Sequence, residues 1–193
     1  MGTLSELELL LRITGSHGIL RRYFVVNGFD GALTMLGLCM GFWVAGEDSL
    51  PVMLTACLGA AVALFMSGIT SAFVSEWEER KRALMKLQSA MVADLGESVH
   101  ARAARAVPFV VALVNGLAPL SMSLVIVLPM ILIRSGVALP WDPLESSITM
   151  AFVVTFLLGV VLGRIGGGSW LWSGLRTVLI AMATAAIILL LAL

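Results

Sequence analysis

Five long apolar runs dominate the chain, at about 23–45, 51–75, 108–133, 147–164 and 172–192. Each is near the ~20 residues that a helix needs to cross the hydrocarbon of a bilayer. Lipid offers no partner for an unpaired backbone group, and runs of this length suit helices, not barrel strands. One polar stretch, 76–106 (EWEERKRALMKLQSAMVADLGESVHARAARA), separates the second run from the third. The second helix is expected to continue into it, turn near Asp94-Leu95-Gly96, and return through a second short helix. Ahead of the runs, Ser5-Glu6-Leu7-Glu8 fits a capping box, and Leu4, Leu7, Leu10 and Leu11 share one helical face. Residues 4–14 therefore read as an amphipathic helix lying on the membrane surface, ended near Gly15 and Gly18. The pattern predicts an all-α polytopic membrane protein. It has an interfacial helix within 1–20 and a five-helix transmembrane domain over 21–193, with 76–106 as a helical insert.

Composition agrees and excludes the main alternatives. The chain is 60% hydrophobic and 12% charged, against about 45–50% apolar and about 25% charged in soluble domains. So little charge cannot coat a water-facing surface, and so apolar a chain does not stay disordered in solution. The formal net charge is zero, which argues against nucleic acid as a partner. Glu6, Glu8 and Arg12 interrupt the first 20 residues, so these do not read as a signal peptide. Cys39 and Cys57 lie in apolar runs and read as small buried hydrophobes, not as a disulfide. Of the 12 basic residues, all but Arg134 fall at one end of the predicted spans. The positive-inside rule then puts the N-terminus in the cytoplasm and the C-terminus outside. The lack of a targeting extension suits a prokaryotic plasma membrane.

Polar groups at membrane depth are the candidates for chemistry, because a carboxylate there costs about 2.5–3.5 kcal/mol on insertion scales. Asp30 lies inside the first span, with Asn27 and Thr34 about one turn to either side. It either coordinates an ion or relays protons, or it pairs with Arg21 or Arg22. Glu76 closes the second apolar run, with Ser71 near it and Glu79 three residues on. Two carboxylates at that spacing can hold a divalent cation; alternatively Glu78 and Glu79 pair with Arg82 and Lys86. Met35 and Met66 lie in the two spans that carry these carboxylates, and thioethers are soft metal ligands. Glu97 and His100 form Glu-x-x-His, a possible chelate in the polar stretch. In the third span Asn115, Gly116, Pro119 and Pro129 mark a site where a bent helix could line a pathway. Gly37-xxx-Gly41, Gly159-xxx-Gly163 and Gly163-xxx-Gly167 permit close helix contact. No Ser-His-Asp set, HExxH or nucleotide fingerprint is present, so the chain does not read as an enzyme. No permanently bound cofactor is expected.

These residues carry a likeness. Asn27-Gly28-Phe29-Asp30-Gly31 resembles the Asn-Asp-Gly signature in the first span of the vacuolar iron transporter family. Ser71-Ala72-Phe73-Val74-Ser75-Glu76-Trp77 resembles that family's Ser-Met-Ala-x-Gly-Glu-Tyr stretch. Gly116 to Pro129 is similar to its third span, and Trp170-Leu171-Trp172-Ser173-Gly174-Leu175-Arg176 to the start of its fifth. The likeness spans most of 20–192. It implies a five-span, dimeric transporter that moves Fe²⁺ or Mn²⁺ out of the cytosol in exchange for protons, with the pathway between protomers. Asp30 then matches the family's pore aspartate and Glu76 its second-span glutamate. Two departures stand out. The family's second-span methionine falls on Ala72, with Met66 about a turn and a half away. The stretch 76–106 is also too short for the family's plant-type metal-binding domain. The alternative function is a non-transporting scaffold or metal-sensing subunit acting through 76–106.

Overall fold

The computed structural model describes residues 16–92, 98–138 and 140–191. Among them the chain forms five helices and no strand: α1 (Ser16–Ala45), α2 (Leu50–Met91), α3 (Val99–Arg134), α4 (Pro143–Ile165) and α5 (Trp170–Leu191). All five are long and apolar enough to cross a bilayer, so this is an integral membrane protein. Residues 1–15, with the whole of the interfacial helix expected at 4–14, lie outside the described residues, as do Asp94-Leu95-Gly96 and Glu97. Residues 16–20 are already part of α1, so the expected break near Gly18 does not occur.

The local signals explain the ends. Ser98 caps α3 by accepting from the Ala101 N–H at 3.2 Å. Asp142 caps α4 by accepting from the Leu144 N–H at 2.9 Å, with Pro143 in the first turn, where a missing N–H costs nothing. Between α4 and α5 the chain turns through Gly166-Gly167-Gly168, and Gly167 takes φ +70°, a conformation that favours glycine.

α2 has 42 residues and α3 has 36. At 1.5 Å per residue α2 is about 63 Å long, twice the ~30 Å of hydrocarbon. Its second half therefore leaves the membrane and packs against the start of α3. The return leg of the polar stretch is not a separate short helix. It is the first part of α3, which runs through Pro108, Pro119 and Pro129 without interruption. Of the basic side chains among the described residues, all but Arg134 lie at the end of the bundle from which α2 and α3 project, the basic end.

α1 is the one helix that touches each of the other four. The others pack in chain order, α2 on α3, α3 on α4 and α4 on α5, while α2 touches neither α4 nor α5. The result is an open arc with α1 on its concave side and a mouth between α2 and α5. The main core lies in the half away from the basic end. Met35, Leu36, Cys39, Leu54, Cys57, Ile126 and Met130 are its most enclosed side chains. A smaller cluster of Ala103, Val107 and Val111 sits nearer the basic end. Cys39 and Cys57 are both buried and free.

Close approach of backbones replaces side-chain bulk at three crossings. A Cβ on Gly31 would lie 2.5 Å from the Pro119 carbonyl oxygen, so α1 and α3 touch backbone to backbone. Gly68 and Gly116 do the same for α2 and α3, and Gly159 and Gly163 for α4 on Gly174 and Ser173 of α5. In lipid, where apolar surface gains little by leaving its solvent, such close packing holds helices together. The first glycine pair read from the sequence behaves differently. Gly41 has open space around it, and Gly37 meets only Ile188 at 3.8 Å. Both face the mouth.

Candidate functional site

A strip of oxygens along α1 faces the mouth of the arc. Its register comes from the helix period: Asp30 lies nine residues from Cys39, about 180° around the helix, and Cys39 is sealed in the core. Asp30 is therefore on the open side, where its residue is exposed. Tyr23 and Trp43 bracket the apolar part of α1 at the positions aromatic belts occupy. Asp30 sits seven residues from Tyr23, about 10 Å in from the basic end.

No described residue hydrogen-bonds or pairs with the Asp30 carboxylate. The alternative pairing with Arg21 or Arg22 is not made. Arg21 is on the opposite side of the helix, and Arg22 stacks its guanidinium 6.0 Å from the Tyr23 ring centre. One turn nearer the basic end, Asn27 donates from Nδ2 to the Tyr23 carbonyl at 2.9 Å and to Oδ1 of Asn115. Its own Oδ1 accepts from no described residue. One turn the other way is Thr34. Thr55, Thr149, Thr155 and Thr184 each donate to the carbonyl four residues back, but the Thr34 hydroxyl has no partner among the described residues. Asn27, Asp30 and Thr34 thus present three oxygen-bearing groups along one strip, none of which accepts a hydrogen bond among the described residues.

What holds the strip is a polar strut through the bundle. Asn115 is buried on α3, accepts from Asn27 and donates from Nδ2 to the Gly68 carbonyl at 2.8 Å. One side chain therefore ties α1, α3 and α2. Pro119 deprives the Asn115 carbonyl of its helical N–H partner. That oxygen rests against Gly68, whose added Cβ would meet it at 3.0 Å. Asn115 and Pro119 do not line an opening; both are buried and act as framework. Asn115→Ala removes two hydrogen bonds and is expected to cost about 1–2 kcal/mol. A fall of about 2–8 °C in the melting temperature of the detergent-solubilised protein would register it.

The remaining candidates do not converge on Asp30. Glu76 is eight residues beyond Gly68 and bound by Arg80 at 3.3 Å, with its side chain 11% exposed. Along the bundle axis it lies roughly 16 Å from Asp30, by the helical rise. Glu79 is exposed, while Glu76 is paired with Arg80. Glu78 and Glu79 form no ion pair with Arg82 or Lys86; all four side chains are exposed to solvent at the projecting end. Met35 is 0% exposed in the core and cannot reach a ligand in the mouth. Met66 is 54% exposed, but nine residues from Cys57 put it about 180° away on α2, and Cys57 lies against Cys39 of α1. Within one chain Met66 thus points away from α1. Ser71 is exposed and its hydroxyl donates weakly to the Gly68 carbonyl at 3.4 Å. His100 is exposed on α3, and Glu97 lies outside the described residues. Among the described residues no three His, Cys, Asp or Glu side chains gather around one point.

A curated relative from Methanocaldococcus jannaschii is 26% identical over 181 residues, covering 92% of this chain and 90% of its own length. That relative is described as an uncharacterized protein. No protein-family model matches the chain, and no solved structure matches it.

Proposed function

We propose that this chain carries a divalent cation, Fe²⁺ or Mn²⁺, out of the cytoplasm in exchange for protons, working as a homodimer. One observation supports this above the others: Asp30 stands exposed at membrane depth, on the open side of the bundle, with no partner among the described residues. Left facing lipid, such a group costs several kcal/mol. It persists where something covers it or passes it.

The chemistry follows from the carboxylate. Metal binding needs the ionised form, so an arriving cation displaces a proton and a departing one lets a proton return. That cycle is the exchange. Asn27 Oδ1 and Thr34 Oγ1 add neutral oxygens, a donor set suited to Mn²⁺ and to hydrated Fe²⁺. One helix supplies ligands from one side only. A second copy across a two-fold axis brings an equivalent strip to face the first, with Gly37 and Gly41 allowing the two α1 helices to approach. The basic end then faces the cytoplasm, the C-terminus lies outside, and Glu76 stands near the cytoplasmic approach.

Purified protein in liposomes holding a metal-quenched dye and a pH dye tests this. The expected result is Mn²⁺ entry with proton exit, above the rate in empty liposomes and faster when an outward proton gradient is imposed. Equal rates with and without protein would overturn transport. Mn²⁺ binding without flux would favour the sensing scaffold instead.

A further inference from the structure

The outer side of the α2–α3 hairpin carries a second built feature, away from the mouth. Where the hairpin leaves the membrane, Trp77, Lys81 and Leu84 of α2 and Ala101, Ala104 and Arg105 of α3 line a groove of about 160 Å³. A further cavity of about 110 Å³ adjoins it through Leu84 and Ala104, and Arg80 and His100 line that one. Trp77 is twenty residues from Cys57, about 200° around α2, so the groove opens on the side facing away from α1.

We propose that this groove holds the head group of an anionic phospholipid, with Lys81 and Arg105 on its phosphate and an acyl chain along the aromatic wall beneath. Depth is the first argument. No charged residue occurs in α2 from Leu50 to Ser75, or in α3 from Ala106 to Ile133. Trp77 and Arg105 therefore stand at the edge of the hydrocarbon, and Lys81 one turn further out, the level of lipid phosphates.

Charge is the second. Lys81 and Arg105 line the groove and His100 the adjoining cavity, where Arg80 is held by Glu76, and no carboxylate among the described residues lines either. Basic pockets between transmembrane helices at this depth suit anionic head groups. Shape is the third. Directly below, Phe73 packs its ring 5.7 Å from that of Trp77 and 4.8 Å from that of Phe109. Phe109 is 62% exposed. The three rings form a continuous apolar wall running from the cations into the hydrocarbon, where an acyl chain lies.

The test uses the full-length protein in phosphatidylcholine nanodiscs titrated with brominated phosphatidylglycerol. Bromine quenches a nearby tryptophan, and the signal from Trp77 is the part lost in Trp77→Phe. Saturable quenching of Trp77 is expected, with brominated phosphatidylcholine giving only a linear rise. Lys81→Gln with Arg105→Gln should weaken the apparent affinity about 10–30-fold, at about 3–5-fold per cation. Arg82→Gln with Lys86→Gln removes equal charge outside the groove and should change it less than about 3-fold. Lys81→Glu, which leaves Arg105 in place, should weaken binding at least as much as Lys81→Gln alone. Equal loss in the two double variants would mean a diffuse basic surface and overturn the site. Displacement of the lipid by millimolar inorganic phosphate would mean a free-phosphate site and overturn the lipid assignment.

Discussion

Asp30→Ala is expected to reduce Mn²⁺ flux in proteoliposomes by about 100-fold or more. At metal sites, changes to groups that only support a ligand cost about 10–100-fold, so loss of the charged ligand itself sets the upper figure as a floor. The variant should also separate function from folding. Asp30 has no partner among the described residues to lose, and removing a carboxylate at membrane depth relieves an insertion cost of about 2.5–3.5 kcal/mol. Asp30→Ala should therefore insert and melt at or above the wild-type temperature while transporting almost nothing. Asp30→Glu, which keeps the titrating group, should retain part of the flux; Asp30→Asn, which keeps the shape and loses the charge, should retain little. Flux unchanged in Asp30→Ala at matched protein amount would remove the assignment of this residue. Flux lost together with stability would mean that Asp30 is structural.

Gly31→Leu should have the largest effect on the fold. Its Cβ alone would stand 2.5 Å from the Pro119 carbonyl oxygen and 2.7 Å from its Cα. Neither atom can swing aside, since both are backbone in the middle of α3. Overpacking usually costs about 1–3 kcal/mol. Here the separation of α1 from α3 also breaks the bond between Asn27 and Asn115 one turn away, so a cost above about 3 kcal/mol is expected. The measurement is the yield of monodisperse protein by size-exclusion chromatography, which should fall severely. Gly41→Leu, with open space around it in the protomer, should fold normally and weaken only the association of two copies. A Gly31→Leu protein as well behaved as wild type would mean that α1 and α3 do not cross as described.

Much of the fold is legible in the residues because the membrane imposes it. A run of ~20 apolar residues has one way to satisfy its backbone in lipid. The five spans could be found without knowing how they pack. Caps at Ser98 and Asp142 and the turn at Gly166-Gly167-Gly168 act over a few residues. The legible part fails where the signal is ambiguous over a short distance. Gly18 reads as a helix end and the return leg of the polar stretch as a separate short helix, yet Gly18 lies inside α1 and the return leg runs on through Pro108 within α3, because a continuous helix leaves fewer backbone groups unpaired than a break does.

The candidate site divides along the same line. That Asp30 is costly where it stands follows from its place in an apolar run, and so does the nearness of Asn27 and Thr34, one turn away on the same helix. Spacing along one helix cannot say which direction that helix faces. Only the packing turns Asp30 to the open mouth and Met35 to the core, and points Met66 away from α1, whereas the pairing of Glu76 with Arg80 is local, one turn apart on α2. The same holds for Asn115, whose strut joins residues 88 and 47 positions apart. Lipid solvation acts on each segment separately, so the sequence determined which segments cross and which polar groups are out of place among them. Rotation and crossing depend on shape between segments distant in the chain, above all where Gly31 meets Pro119, and these only the tertiary structure decided.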